Sequence, residues 1–267
     1  MQWITNIFKQ RKSFLWKYRK CPFLLGITWM AMLVVFWVHP LNAQKNDLER
    51  SLPPLQPHPL PLTLVEWQDP KDSGDYFDQI SLSPAGYLIW SQFPVKFYLD
   101  RPTNLNDPAA ASTRRFRQWV DAVMEAITEW QDFFPLVEVK DPQLADIVIE
   151  RTEPPLDARF DPKTGQLEIP RARSAQTSYN FYLTQDNSPI LRHRMTIKIS
   201  PGLSQSSTLS ASRHELGHGL GIWGHSNQET DALYFSQVRR LSPISVRDIN
   251  TLKKIYQQPT RLGWKLP

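Results

Sequence analysis

The chain has 267 residues, 41% hydrophobic and 21% charged, which is ordinary for a globular protein and enough for one sizeable core. Its net charge of +5 comes from one end: residues 1–43 hold six basic side chains and no acidic one, so 25 of the 31 basic residues face all 26 acidic ones in the remainder. Residues 44–267 therefore have no bulk charge to draw them to nucleic acid, and no nucleic-acid partner is expected.

Lys9, Arg11, Lys12, Lys17, Arg19 and Lys20 precede the uncharged run "CPFLLGITWMAMLVVFWV", residues 21–38. A basic region followed by an apolar run is the pattern of a signal peptide or an N-terminal membrane anchor, here assigned to residues 1–43. The run is longer than a usual signal-peptide core and at the short limit for a spanning helix. "LNAQ", residues 41–44, offers a cleavage site after Ala43. Cleavage and anchoring both place residue 44 onward outside the cytoplasm, because the positive flank stays inside. The product is then either secreted or associated with the membrane through residues 21–38. The one cysteine, Cys21, lies in this run, so the remainder has no disulfide and no cysteine-based metal site.

"SLPPLQPHPLPL", residues 51–62, has five prolines and reads as part of an extended, polyproline-like linker over residues 44–75. A folded domain is expected over 76–267. "PVKFYLD", residues 94–100, alternates apolar and polar as a strand does. A long helix follows, with Asp107 as its cap, Pro108 in its first turn and Pro135 beyond its end. Phe116, Val120, Val123, Ile127, Trp130 and Phe134 fall on one stripe of that helix and are candidate core. Strands are expected at 136–140 and 145–151, a turn at 161–166, a half-exposed edge strand at 176–184 and a strictly alternating strand at 194–200. Residues 246–257 read as a closing helix, with Ser245 and Asp248 as its capping box. The fold class is α+β: a small twisted mixed sheet, a long helix, a histidine-bearing helix and a C-terminal helix.

The histidine-bearing segment is "SRHELGHGLGIWGHS", residues 212–226, with three of the six histidines and four of the ten glycines. His214 and His218 are four apart, which on a helix places them about 6 Å apart along the axis and roughly 40° apart in azimuth. Two imidazoles so placed reach one metal ion, and Glu215 comes within reach of a water on it; His-Glu-x-x-His is the minimal zinc-hydrolase pattern. On a continuous helix His225 would sit about 10 Å beyond His218. Sharing an ion therefore requires the helix to break, with Gly221 the natural break and Gly224 the slack for return. Gly217 and Gly219, costly in a helix interior, suggest close backbone packing.

These residues resemble the metzincin metallopeptidases, most closely the matrixin branch, whose motif is H-E-x-x-H-x-x-G-x-x-H. His214, Glu215, His218 and Gly221 stand in register, His225 comes one place late, and Ser226 follows it as in matrixins. "TDALYF", residues 230–235, aligns with the turn that carries a methionine beneath the metal in that family and has Leu233 there. The resemblance implies a metzincin-like fold over about 90–258 and Zn²⁺ held by His214, His218 and His225. It also implies Glu215 as general base, and a peptide or protein substrate extended along the edge strand at 176–184. The expected activity is that of a zinc metalloendopeptidase acting as a monomer. Asp231 stays open as an alternative ligand. A non-peptide hydrolase or a non-catalytic zinc-binding domain stays open as an alternative function. His39, His58 and His193 read as structural or surface residues.

Overall fold

A computed structural model describes residues 52–102, 110–156, 159–168, 173–236 and 242–267. The expected signal or anchor at 1–43, His39, Asp107 and Pro108 lie outside the described residues; the long helix itself starts at Ala111 with Ala110 as its N-cap, later than the expected start at Asp107 and Pro108. Among those described, no helix is long and apolar enough to cross a membrane.

The molecule is α+β. Among the described residues the α-helices are α1 (Leu62–Glu66), α2 (Ala111–Gln131), α3 (Gln205–Gly219) and α4 (Val246–Tyr256). Its main sheet is built from β1 (Val95–Leu99), β2 (Leu136–Glu138), β3 (Ile147–Glu150), β6 (Ala175–Leu183) and β7 (Leu191–Ile199), in the order β2-β1-β3-β7-β6. The pairs β1–β2, β1–β3 and β3–β7 are parallel, and β6 runs antiparallel to β7 at the edge. A small hairpin, β4 (Arg159–Phe160) with β5 (Leu167–Glu168), stands apart from it.

The sequence pattern explains the layers. Along β7 every odd residue from Leu191 to Ile199 is buried and every even one half-exposed, so one face of the sheet carries the core. α2 buries Val120, Val123, Ile127 and Trp130 from its apolar stripe and packs against α3. Two contacts pin the helix pair: Arg213 makes a bidentate ion pair with Glu129 at 2.6 Å, and Trp130 Nε1 donates to the Arg213 carbonyl. α4 begins with the expected capping box, in which Ser245 and Asp248 each accept from the other's backbone N–H.

The proline-rich stretch is extended, as its composition suggests, but it lies against the domain rather than apart from it. Leu64 on α1 is fully buried, and Leu52, Leu60 and Trp67 pack on the core. Gln56 exchanges two backbone hydrogen bonds with Thr260, and His58 stacks on Trp264 while bonding the Leu262 carbonyl. Prolines remove donors and block helix and sheet interiors, yet the leucines between them still gain by burial. An extended strap over the C-terminal segment satisfies both demands.

Candidate metal centre

α3 carries the motif. Ser204 caps its start by accepting from Ser207 N–H. Its end is a Schellman motif: Ile222 N–H donates to the Gly217 carbonyl and Gly221 N–H to the His218 carbonyl, both at 3.0 Å. Gly221 has φ +120°, a region that L side chains rarely adopt, so the break falls where the spacing required it. Two other carbonyls at this end are satisfied from the core, Gly219 by Trp90 Nε1 and Leu220 by the Tyr256 hydroxyl.

Beyond the break the chain returns. Trp223 accepts from Ser81 N–H. A Cβ on Gly224 would lie 2.2 Å from the Gln79 carbonyl oxygen, so Gly224 serves close backbone approach as well as slack. His225 then reaches the other two imidazoles, its ring centroid 5.2 Å from that of His214 and 4.9 Å from that of His218. One ring nitrogen from each of the three lies within 4.8 Å of the others. The three expected ligands are thus brought together, and they are close enough to hold one metal ion.

The hydrogen bonds orient two of these rings. His214 Nδ1 lies 2.9 Å from the Ala232 carbonyl and His218 Nδ1 lies 2.7 Å from the Ile222 carbonyl. A carbonyl only accepts, so Nδ1 carries the proton in each neutral ring and Nε2 keeps its lone pair. The two Nε2 atoms face each other at 3.1 Å. With metal–nitrogen bonds of about 2.05 Å that separation subtends about 100° at an ion, close to tetrahedral. Burial also pulls His214 and His218 down to about 4, aided at His214 by the neighbouring His218, and it lowers His225. Neutral imidazole is the ligand form.

Glu215 is buried, at 8% exposure, beside this group. Its Oε2 accepts a 2.6 Å hydrogen bond from the Thr177 hydroxyl of β6. Burial pushes its carboxyl up, opposed by His214 and by Thr177. A raised carboxyl beside ligand imidazoles is the electrostatic setting of a proton acceptor.

The segment that carries Leu233 packs against the histidine helix, where Leu233 lies beside Gly217. Leu233 is fully buried. Its carbonyl accepts from Ser226 N–H, and Phe235 N–H returns to the Ser226 carbonyl. Asp231, the alternative ligand, is not among the three clustered groups: it is 1% exposed, and its Oδ2 bonds the Ser226 hydroxyl and pairs with Arg247 at 3.0 Å, while its Oδ1 is buried without a hydrogen bond among the described residues. His193 is likewise structural, buried in β7 with its ring 3.8 Å from that of Trp90.

Two residues near the centre had no functional signal in the sequence. Asp248 is fully buried and does more than cap α4: its Oδ2 accepts from Ala232 N–H and its Oδ1 from the Tyr76 hydroxyl. The backbone of Ala232, through its N–H on one side and its carbonyl on the other, therefore links Asp248 to His214. Thr177 is the other, in a strand whose sequence is simply polar and aromatic. No protein-family model matches the chain, and a search of curated proteins finds no match.

Proposed function

We propose that the chain is a zinc-dependent endopeptidase of the metzincin kind, with His214, His218 and His225 holding Zn²⁺ and Glu215 as general base. The observation that carries this reading is the pairing of a preoriented imidazole set with a buried carboxylate next to it. An ion that served only as a structural staple would not need that carboxylate. Three nitrogen ligands, two with Nε2 lone pairs fixed from behind, suit Zn²⁺ and leave a fourth position open. When bound, the ion supplies Lewis acidity, lowering the pKa of a neighbouring water and polarising the scissile carbonyl.

The rest is done by the chain. Glu215 takes a proton from the water and delivers it to the departing amine. Among the described residues β6 is the last strand of its sheet, and the edge it leaves unpaired there offers backbone donors and acceptors to an extended peptide, as in strand addition. Residues 1–43 fit export or anchoring, which would place this activity outside the cytoplasm. No thiol lies beyond Cys21, so inhibition by a cysteine on the metal has no residue in 44–267 to perform it.

The test is the Glu215→Ala variant of the zinc-loaded chain on a peptide that the wild type cleaves. It should keep its zinc and lose at least about 10²-fold in turnover. Near-normal turnover in that variant would refute the mechanism.

A further inference from the structure

We propose that Thr177 is a positioning residue for Glu215, holding its carboxylate from the same strand along which the peptide would lie. The proposal rests on the peptidase reading above and deepens it.

Thr177 is the one buried residue of β6; its strand neighbours are half-exposed or exposed. Its place is fixed by pairing with Ile197 of β7, whose side chain lies against Gly219 of α3. From there the hydroxyl has two acceptors on one residue, Glu215 Oε2 at 2.6 Å and the Glu215 backbone carbonyl at 3.0 Å. A hydroxyl has a single proton. The shorter contact, to the carboxylate, is the charge-assisted one and takes it. The backbone carbonyl alone would have satisfied a buried threonine, so the contact with Oε2 is not forced by burial of the hydroxyl. Its effect is to fix the rotation of the carboxylate. Oε2 is tied to the sheet, and Oε1, which takes no hydrogen bond from the described residues, is left for the water.

This makes one residue common to two tasks. The backbone of Thr177 belongs to the strand that receives substrate, and its side chain sets the base. A peptide docked on β6 and the carboxylate that activates water are thereby held to one rigid frame, which is the alignment that proximity requires.

The experiment uses the full chain loaded with zinc and a fluorogenic peptide that the wild type cleaves. Thr177→Val removes the hydroxyl at nearly constant volume. It should lower kcat about ten- to hundredfold, the worth of one hydrogen bond to a charged group, while KM stays within about twofold and zinc content is unchanged. Thr177→Ser keeps the hydroxyl and should recover most of the loss. In a Glu215→Gln background Thr177→Val should have little further effect on the residual rate. Unchanged kcat in Thr177→Val, a loss confined to KM, or a serine variant as impaired as the valine one would overturn the proposal. Should Thr177→Val not fold, serine and cysteine variants carry the comparison, with turnover kept only by serine, because a thiol is a weak donor. A wild type that cleaves no peptide would sink the peptidase reading instead. Crystal structures of wild type and Thr177→Val would then decide the positioning claim. A displaced Glu215 carboxylate supports it, and an undisturbed one overturns it.

Discussion

Gly217 and Leu233 are in direct contact beside the histidine cluster: a Cβ built on Gly217 would lie 2.5 Å from Leu233 Cδ2, 3.1 Å from Cδ1 and 3.2 Å from Cγ. Three close atoms mean that the whole leucine side chain would have to move, and Leu233 is fully buried. Gly217→Ala should therefore overpack the turn by about 1–3 kcal/mol, outweighing a gain in helix propensity of about 1 kcal/mol. The melting temperature should fall by a few degrees. The same change should cost less in a Leu233→Ala background, where space has been opened. Leu233→Met, a swap of similar volume, should cost under about 1.5 kcal/mol and leave zinc binding intact. A Gly217→Ala protein that melts at or above wild type would show that the contact does not constrain the turn.

His225 and Asp231 separate metal binding from stability. His225 is exposed at the centre, whereas Asp231 is buried and paired with Arg247. Metal analysis should find about one zinc per wild-type chain, and much less in His225→Ala, with the fold retained. Asp231→Ala should do the reverse: it keeps the zinc but loses on the order of 3 kcal/mol, because Arg247 is left without its buried partner. If His225→Ala held its zinc and Asp231→Ala did not, the third ligand would have to be reassigned to Asp231.

The difference between what was legible in the sequence and what was not follows interaction range. The α2 stripe, the alternation of β7, the Ser245–Asp248 box and the His214–His218 pair are all set within a few residues, so periodicity and spacing expose them. The helix break was legible for a related reason: only a turn at Gly221 lets His225 return. The strap over 52–67 was not, because proline-rich composition gives no period and its partners, such as Thr260 for Gln56, lie about two hundred residues away. Thr177 was invisible for the same cause. Its partner belongs to another element, and nothing in "AQTSYNFYL" distinguishes the buried threonine from its exposed neighbours.

His193 should make the protein acid-sensitive apart from any role of the metal ligands. Burial holds it down to about 3, while an unfolded histidine titrates near 6.5. Above about 6.5 both states are neutral and nothing is lost. Below it the unfolded state takes a proton that the folded state refuses, so stability falls as pH drops from about 6.5 toward 3. Between pH 6.5 and 5 one such group removes about 1.5 kcal/mol. His193→Phe keeps a ring against Trp90 and cannot titrate. Urea unfolding of both proteins at the two pH values lets the other histidines cancel. The variant should lose about that much less, and equal losses in the two proteins would show that His193 titrates normally.

Asp248 should control zinc affinity without touching the metal. Its Oδ2 accepts from both Ala232 and Ser245 N–H, and its Oδ1 from the Tyr76 hydroxyl at 2.6 Å and, more weakly, from Leu233 N–H at 3.5 Å. The carbonyl of Ala232 in turn accepts from His214 Nδ1. Asp248→Asn keeps the shape but turns one of the two acceptors into a donor, so it cannot serve all four groups. If the amide takes the place of Oδ2, the Ala232 and Ser245 N–H groups lose their acceptor and the backbone at Ala232 loses its anchor. If it takes the place of Oδ1, the Tyr76 hydroxyl must reverse its role and the Leu233 N–H contact is lost. The folded state should lose about 1–3 kcal/mol for the group left unsatisfied. With Ala232 free to shift, the His214 ring is no longer held in its tautomer and orientation, a disturbance that typically costs 10–100-fold in metal affinity. Tyr76→Phe removes only the hydroxyl and leaves the backbone N–H bonds in place, so it should lower stability while changing zinc affinity much less. Competition titration against a chelator, run beside thermal melts, separates the two effects. Asp248→Asn that binds zinc as tightly as wild type would mean that the backbone at Ala232 is held by its own turn and that Asp248 acts on the fold alone.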